Sequence, residues 1–289
     1  MMRKIVAMIV LMFLSSMDLI GQPKSRFVMA PDLREAVNRV MMVDTAYLRV
    51  SYALNADDLD NPSTYVDWQY LQIGDSVSKY YSKFLNEADS LVSVWLKEHP
   101  HADSVPLWLG ESGKNADYWT EYQYSELFKT GDMLTVYARM PMYLKRHNCF
   151  YVERIPRQQW QLHADTLEIG GYVCQKATCS FRGRSFEAWF APDISIPEGP
   201  WTFGGLPGLI LKVYDTDRLY IFECVQIEKG KFPIKKYDDY KEYKPMNKQK
   251  VLKLQRKINE NYFVVAKLYD YYTNKPKSRF TPYEPLELE

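Results

Sequence analysis

The sequence is poor in the residue types that bind metals or form covalent intermediates. It has four histidines and four cysteines in 289 residues. His99 and His101 flank Pro100 with no further Cys or His nearby, too few ligands for a metal centre. No metal and no cofactor is therefore expected. Gly-x-Ser-x-Gly is absent, which excludes a nucleophile elbow. Gly205 to Leu209 lacks the Lys-Ser/Thr that ends a phosphate-binding loop. Neither sign of charge is in excess, with 37 Lys and Arg against 36 Asp and Glu, and this argues against a general nucleic-acid binder. Long apolar runs are missing too. The unbroken run Ile5 to Leu14 is short of the roughly 18–20 residues that cross a bilayer.

That run instead has the pattern of a secretory signal. Arg3 and Lys4 precede it, and the small Gly21 is placed for cleavage, leaving Gln22 as the new N-terminus. No cysteine stands near that point to carry a lipid. The expectation is a signal peptide over residues 1–21 and a single domain over residues 22–289, with no transmembrane anchor after cleavage. Export permits disulfides. Cys149, Cys174, Cys179 and Cys224 allow three full pairings, or remain four buried thiols. Cys174 and Cys179, five apart, would face opposite sides of a straight strand.

Tyrosine is abundant, at 23 residues. With an apolar body and a polar tip, it suits half-buried sheet faces and wet binding surfaces. Charge is unevenly spread: Lys229 to Arg279 holds 15 Lys and Arg against 5 Asp and Glu.

Periodicity gives many short strands. A short helix is read at Leu33–Val43. Ala46, Leu48, Val50, Tyr52 and Leu54 then alternate with more polar neighbours, which is a half-buried strand. Val66–Ile73 follows as a second. Val77, Tyr81, Phe84, Ala88, Leu91 and Trp95 share one helical face, giving a helix over residues 77–98 capped by Asp75 or Ser76. An irregular loop runs on to about Lys114. Tyr122–Thr130 and Met133–Met140 form a hairpin about Gly131-Asp132. Further strands are Cys149–Ile155, Trp160–Leu162, Tyr172–Phe181 and Ser185–Phe190. Leu209–Tyr214 and Leu219–Ile227 form another hairpin. A second helix spans residues 247–272, with Asn247 as its cap. The fold class expected is α+β, predominantly antiparallel β, as a sandwich or partly open barrel with two flanking helices.

Seven of the 13 glycines lie between Gly170 and Gly208. Leu206-Pro207-Gly208-Leu209 has the signature of a type II turn, with positive φ at Gly208, and Gly204 and Gly205 allow close backbone approach. Gly205 to Ile210 spells GLPGLI. With Gly171-Tyr172, Cys174 to Thr178, Phe181 to Arg184, Ala188 to Pro192 and Gly199-Pro200-Trp201, the chain resembles the GLPGLI family of exported Bacteroidota proteins. The ending Tyr283 to Leu288 fits the same pattern. The resemblance implies export to the periplasm or cell surface of a Gram-negative bacterium. It implies no catalytic residues.

Candidate binding residues are Arg182, Arg184, Trp189 and Trp201, two guanidiniums and two indoles beside the glycine-rich run. Alternation puts Glu187 and Trp189 on one strand face and Phe186, Ala188 and Phe190 on the core face. His163, Asp165, Glu187, Asp193 and Glu198 are candidates for acid–base work on a glycan, against the alternative of scattered surface charge. The reading that follows is a non-enzymatic binding scaffold for an envelope protein or an anionic or sugar-like ligand, with no nucleic-acid partner. The alternatives are a secreted hydrolase of glycan or peptide, and an assembly partner of an outer-membrane complex.

Overall fold

The computed structural model describes residues 27–31, 34, 37, 39–102 and 118–288. The signal segment and its cleavage point lie outside the described residues, as does most of the loop before Lys114. Twelve strands form one sheet in the order β12-β6-β5-β4-β3-β2-β1-β11-β10-β9-β8-β7, mostly antiparallel. They are β1 (Val40–Leu54), β2 (Asp67–Gly74), β3 (Val77–Ser82), β4 (Ser125–Thr130), β5 (Met133–Ala138), β6 (Cys149–Arg154), β7 (Gln161–Ile169), β8 (Tyr172–Phe181), β9 (Arg184–Ala191), β10 (Leu209–Asp215), β11 (Ile221–Tyr237) and β12 (Lys244–Pro245). Two helices, α1 (Lys83–Glu98) and α2 (Lys248–Val265), complete it.

The sheet is rolled. β6 and β8 stand near opposite ends of the strand order, yet Arg182, after β8, reaches Glu153 of β6 at 2.8 Å. Side chains from both halves meet in one inner core: Leu48, Tyr52, Leu71, Tyr80, Val136 and Tyr151 with Phe186, Phe190, Leu209 and Phe222. α2 supplies Val251, Ile258 and Tyr262 to that core and α1 supplies Leu85, while Phe84 of α1 packs edge-on against Trp68 of β2 at 6.1 Å. A second, outer cluster is built largely of tyrosine: Tyr237, Tyr240 and Tyr243 with Phe128 and Ile234. Tyrosine rings pack over a sheet face there, with the Tyr240 and Tyr243 hydroxyls buried as well.

Primed turns close the tight hairpins. Arg182-Gly183 (φ 48° and 81°) joins β8 to β9, and Gly170-Gly171 (φ 57° and 82°) joins β7 to β8. Gly131 (φ 59°) opens the expected β4–β5 turn.

Four expectations change. The helix at Leu33–Val43 is not formed where it is described, since Val40 already begins β1. Residues 77–82 are strand β3, paired to both β2 and β4, and the helix starts after Ser82, whose Oγ accepts from Leu85 N at 3.1 Å. The reversal at Asp75-Ser76 is pinned by Asp44, whose Oδ2 accepts from Ser76 N and Val77 N, both at 2.9 Å. The second helix ends at Val265, and Asn261 (φ −159°) kinks it. Cys174 and Cys179 both enter the inner core, where β7 carries a register shift opposite this stretch. All four cysteines are free thiols, and burial pushes Cys149, Cys179 and Cys224 up to about 12.

The GLPGLI turn differs as well. Gly208 does not have positive φ; Gly205 (φ 81°) and Trp201 (φ 53°) do. A Cβ on Gly208 would sit 2.2 Å from the Ala191 carbonyl oxygen, so glycine is required there by contact, not by φ. Gly205 N donates to Pro197 O at 2.9 Å, and Leu209 N to Ile194 O at 2.9 Å. The loop thus folds flat against the end of β9 and delivers Leu209-Ile210-Leu211 into the core. Pro207 caps this turn on the solvent side.

Candidate functional site

Three of the four candidate binding residues converge on one segment of the chain itself, Tyr283–Leu288. Arg184, with its side chain 3% exposed, donates through Nε and Nη2 to Pro285 O at 3.1 and 2.7 Å and through Nη2 to Glu284 Oε1 at 3.0 Å. Its Nη1 lies 3.3 Å from Asp215 Oδ2. Glu287 is gripped by Arg182, by Lys248 at 2.9 Å and by the Trp201 indole N–H at 3.2 Å. Burial pushes the Glu287 carboxyl up, but Arg182 and Lys248 outweigh it and hold it below the usual carboxylate range. Trp201 is buried, edge-on to Tyr80 and Tyr122. Both guanidinium heads are consumed inside the fold.

Trp189 stands apart. The alternation along β9 is as expected, with Phe186, Ala188 and Phe190 buried and Trp189 half-buried on the other face. Its indole N–H donates to Glu187 Oε1 at 3.1 Å, and Glu187 also meets Lys176 at 2.6 Å and the Tyr214 hydroxyl. These contacts cover a sheet face.

The carboxylates proposed for acid–base work are likewise dispersed. Glu187 is held by Lys176, and Glu198 by Lys129 of β4. His163, on the edge strand β7, contacts Thr178 Oγ1 at 2.7 Å. His99 stacks on Trp95 at 4.3 Å. Among the described residues no cluster of three metal-ligating side chains exists.

A cleft of about 180 Å³ opens elsewhere, over the outer tyrosine cluster. Three segments far apart in sequence line it: Pro31, Arg34 and Arg39; Arg139 to Met142 with Lys145 and Asn148; and Asp238, Asp239, Glu242 and Tyr243 from the turn after β11. Backbone bonds fix the segments: Asp238 N donates to Arg39 O at 2.8 Å, Met142 N to Met29 O at 3.3 Å, and Lys244 N to Asn148 O at 3.1 Å. Asn148 Oδ1 accepts from Met140 N at 2.8 Å.

The floor is a buried charge network. Arg34 reaches Asp239 at 3.2 Å and Glu126 at 3.4 Å, with its guanidinium 3.7 Å over the Tyr237 ring. Lys79 meets Glu126 at 2.6 Å, and Arg139 meets Asp89 at 3.2 Å. Burial lowers the Lys79 ammonium and raises Asp239, while Lys79 and Arg34 outweigh the burial of Glu126 and hold it down. Three cations thus face three carboxylates, and the floor is neutral. At the mouth, Arg39, Lys145 and Glu242 are exposed and form no ion pair among the described residues. The rim therefore offers free donors and free acceptors side by side, with Tyr243 beneath. Sequence reading missed this site because its residues share no local motif. The one available signal was Asp238-Asp239 set between Tyr237 and Tyr240 inside an otherwise basic stretch.

A family model described as "N-glycanase peptide, N-terminal domain" matches residues 142–262, fewer than half of the chain. No curated protein matches. Two solved structures, described as the structure of PNGF-II in the P21 and C2 space groups, are each 13% identical with a TM-score of 0.44. Each alignment covers 76% of this chain and 34% of the other, so the chain spans about a third of their length.

Proposed function

We propose that this chain is an exported, non-enzymatic binding scaffold of the GLPGLI type that holds a neutral glycan in the cleft under Arg39, Lys145 and Glu242. The observation that carries this reading is the mixed rim over a neutral floor. Sugar hydroxyls both donate and accept, so alternating cations and carboxylates suit them. Arg34, Arg39, Arg139 and Lys145 line the cleft together with Asp238, Asp239 and Glu242, so a ligand meets both signs of charge. The mixed rim supports a sugar-like ligand. The cleft's Lys145, Asn148, Asp238, Asp239, Glu242 and Tyr243 all fall within residues 142–262, matched by a model named for an N-glycanase. On this reading the rolled sheet is a partly open barrel whose outer tyrosine face carries the ligand, and the site faces the periplasm or the medium.

The hydrolase alternative places its acid at Asp239, the cleft carboxyl that burial raises. Incubating the protein with an N-glycopeptide and weighing the products separates the two. Retention of intact glycopeptide is expected. Release of the glycan, abolished by Asp239→Asn, would establish the hydrolase instead. Neither retention nor release would remove glycan from the account and leave the assembly role.

A further inference from the structure

The segment Tyr283–Leu288 is held as a ligand is held. Four of its backbone groups are read individually. Tyr220 OH donates to Glu284 O at 2.6 Å, and Arg184 donates twice to Pro285 O. Leu286 N donates to Tyr122 OH at 3.2 Å, and Leu288 N to Arg182 O at 3.0 Å. Its side chains are read as well. Leu286 is 3% exposed in the inner core, Glu287 sits among Arg182, Lys248 and Trp201, and the Tyr283 hydroxyl meets Tyr122 OH at 2.9 Å. The groove's cations, Arg182, Arg184 and Lys248, face two glutamates of the segment. Of the twelve residues between Asp270 and the segment, the ten from Tyr271 to Phe280 are all exposed. This stretch folds back on the body, with Asp270 N donating to Lys275 O at 2.9 Å, Lys277 N to Leu268 O at 2.8 Å and Thr281 N to Glu260 O at 2.9 Å; released from those bonds, its ten exposed residues reach up to about 33 Å.

We infer that the groove between the β8–β9 turn, Trp201 and the start of α2 is a recognition site for an extended acidic peptide of the form Tyr-Glu-Pro-Leu-Glu-Leu, filled here by the chain's own segment and able to accept the same segment from a second copy. The only complementarity displayed is to this sequence, which makes a second copy the matched partner in trans. Exchange of an identical element is a low-cost route to a dimer. While tethered, the resident segment acts at millimolar effective concentration and hides the site from a free competitor.

Cutting the tether exposes it. A site-specific protease sequence is inserted after Lys275 in the full chain, and the protein is cleaved after folding. The severed segment is expected to co-elute with the body. A labelled peptide of residues 280–289 should displace it, and the same peptide with Glu287→Ala should bind about tenfold or more weakly. Uncut copies carrying two different tags should capture one another after incubation at high concentration. Three results overturn the inference. Loss of cooperative melting on cleavage would make the segment part of the core. Departure of the segment with no binding of the labelled peptide would show that the groove does not recognise it. Peptide exchange without mixing of uncut copies would remove the second copy as partner.

Discussion

Asp67 and Glu121 are carboxyl groups in the core, and burial pushes both up to about 7. Each has neutral partners: Ser82 Oγ donates to Asp67 Oδ1 at 2.7 Å, and Asn259 Nδ2 to Glu121 Oε2 at 2.9 Å. Unfolded, both ionise near pH 4. Between about pH 4 and 7 the native protein therefore keeps two protons that the unfolded chain has lost, so stability is highest at the acid end and falls as pH rises to about 7, by at most on the order of 4 kcal/mol per group. Urea midpoints at pH 5 and pH 8 measure this. The midpoint should drop at pH 8, and Asp67→Asn with Glu121→Gln should flatten the change. A midpoint that rises with pH would mean both groups are ionised in the fold. Nothing in the sequence marked these two residues. Asp67 opens a recognisable strand, and Glu121 stands before a hairpin, but their burial follows from the sheet rolling over them. The same holds for Arg184. Its partners, Asp215, Glu284 and Pro285, lie up to 101 residues away along the chain.

Strands and turns were more legible than the faces they bury. The hairpins about Gly131 and Asp215, strand β8 and the Asn247 cap follow from period and turn chemistry. β3 did not, because Val77 and Tyr81 satisfy both a period of two and a helical stripe, and the pairing of β3 with β4 across the 83–124 stretch decides between them. Ala46 belongs to the outer cluster although Leu48 and Val50 point inward, since a bulge between Ala46 and Leu48 breaks the alternation. In the GLPGLI loop the glycines divide by cause. Gly208 faces the Ala191 carbonyl, so Gly208→Ala and Gly208→Asn should both destabilise strongly, and Gly208→Val more so. Gly205 has open space and positive φ, so Gly205→Ala should cost about 1 kcal/mol and Gly205→Asn less. Thermal melts of the set check this. A Gly208→Asn protein that melts like wild type would restore the type II turn.

At the scale of the molecule, the rolled sheet separates two kinds of surface. Inside, apolar side chains fill the space, and the 283–288 segment lies in its groove between the β8–β9 turn, Trp201 and the start of α2. Outside, tyrosines and a neutral charge network form the floor of a polar cleft built from residues near 34–39, 139–148 and 238–243. The sequence carries this only as a basic stretch interrupted by Asp238-Asp239. No helix among the described residues is long and apolar enough to cross a membrane. The Arg39 and Lys145 side chains are exposed and form no ion pair among the described residues, so replacing them separates binding from stability. Isothermal titration of a free N-glycan core oligosaccharide into the wild-type protein and into the Arg39→Ala/Lys145→Ala variant tests the cleft directly. Saturable binding is expected for wild type, weakened about tenfold or more in the variant at an unchanged melting temperature. Equal affinity in both proteins, or no heat of binding in wild type, would contradict the assignment of the cleft as a glycan site.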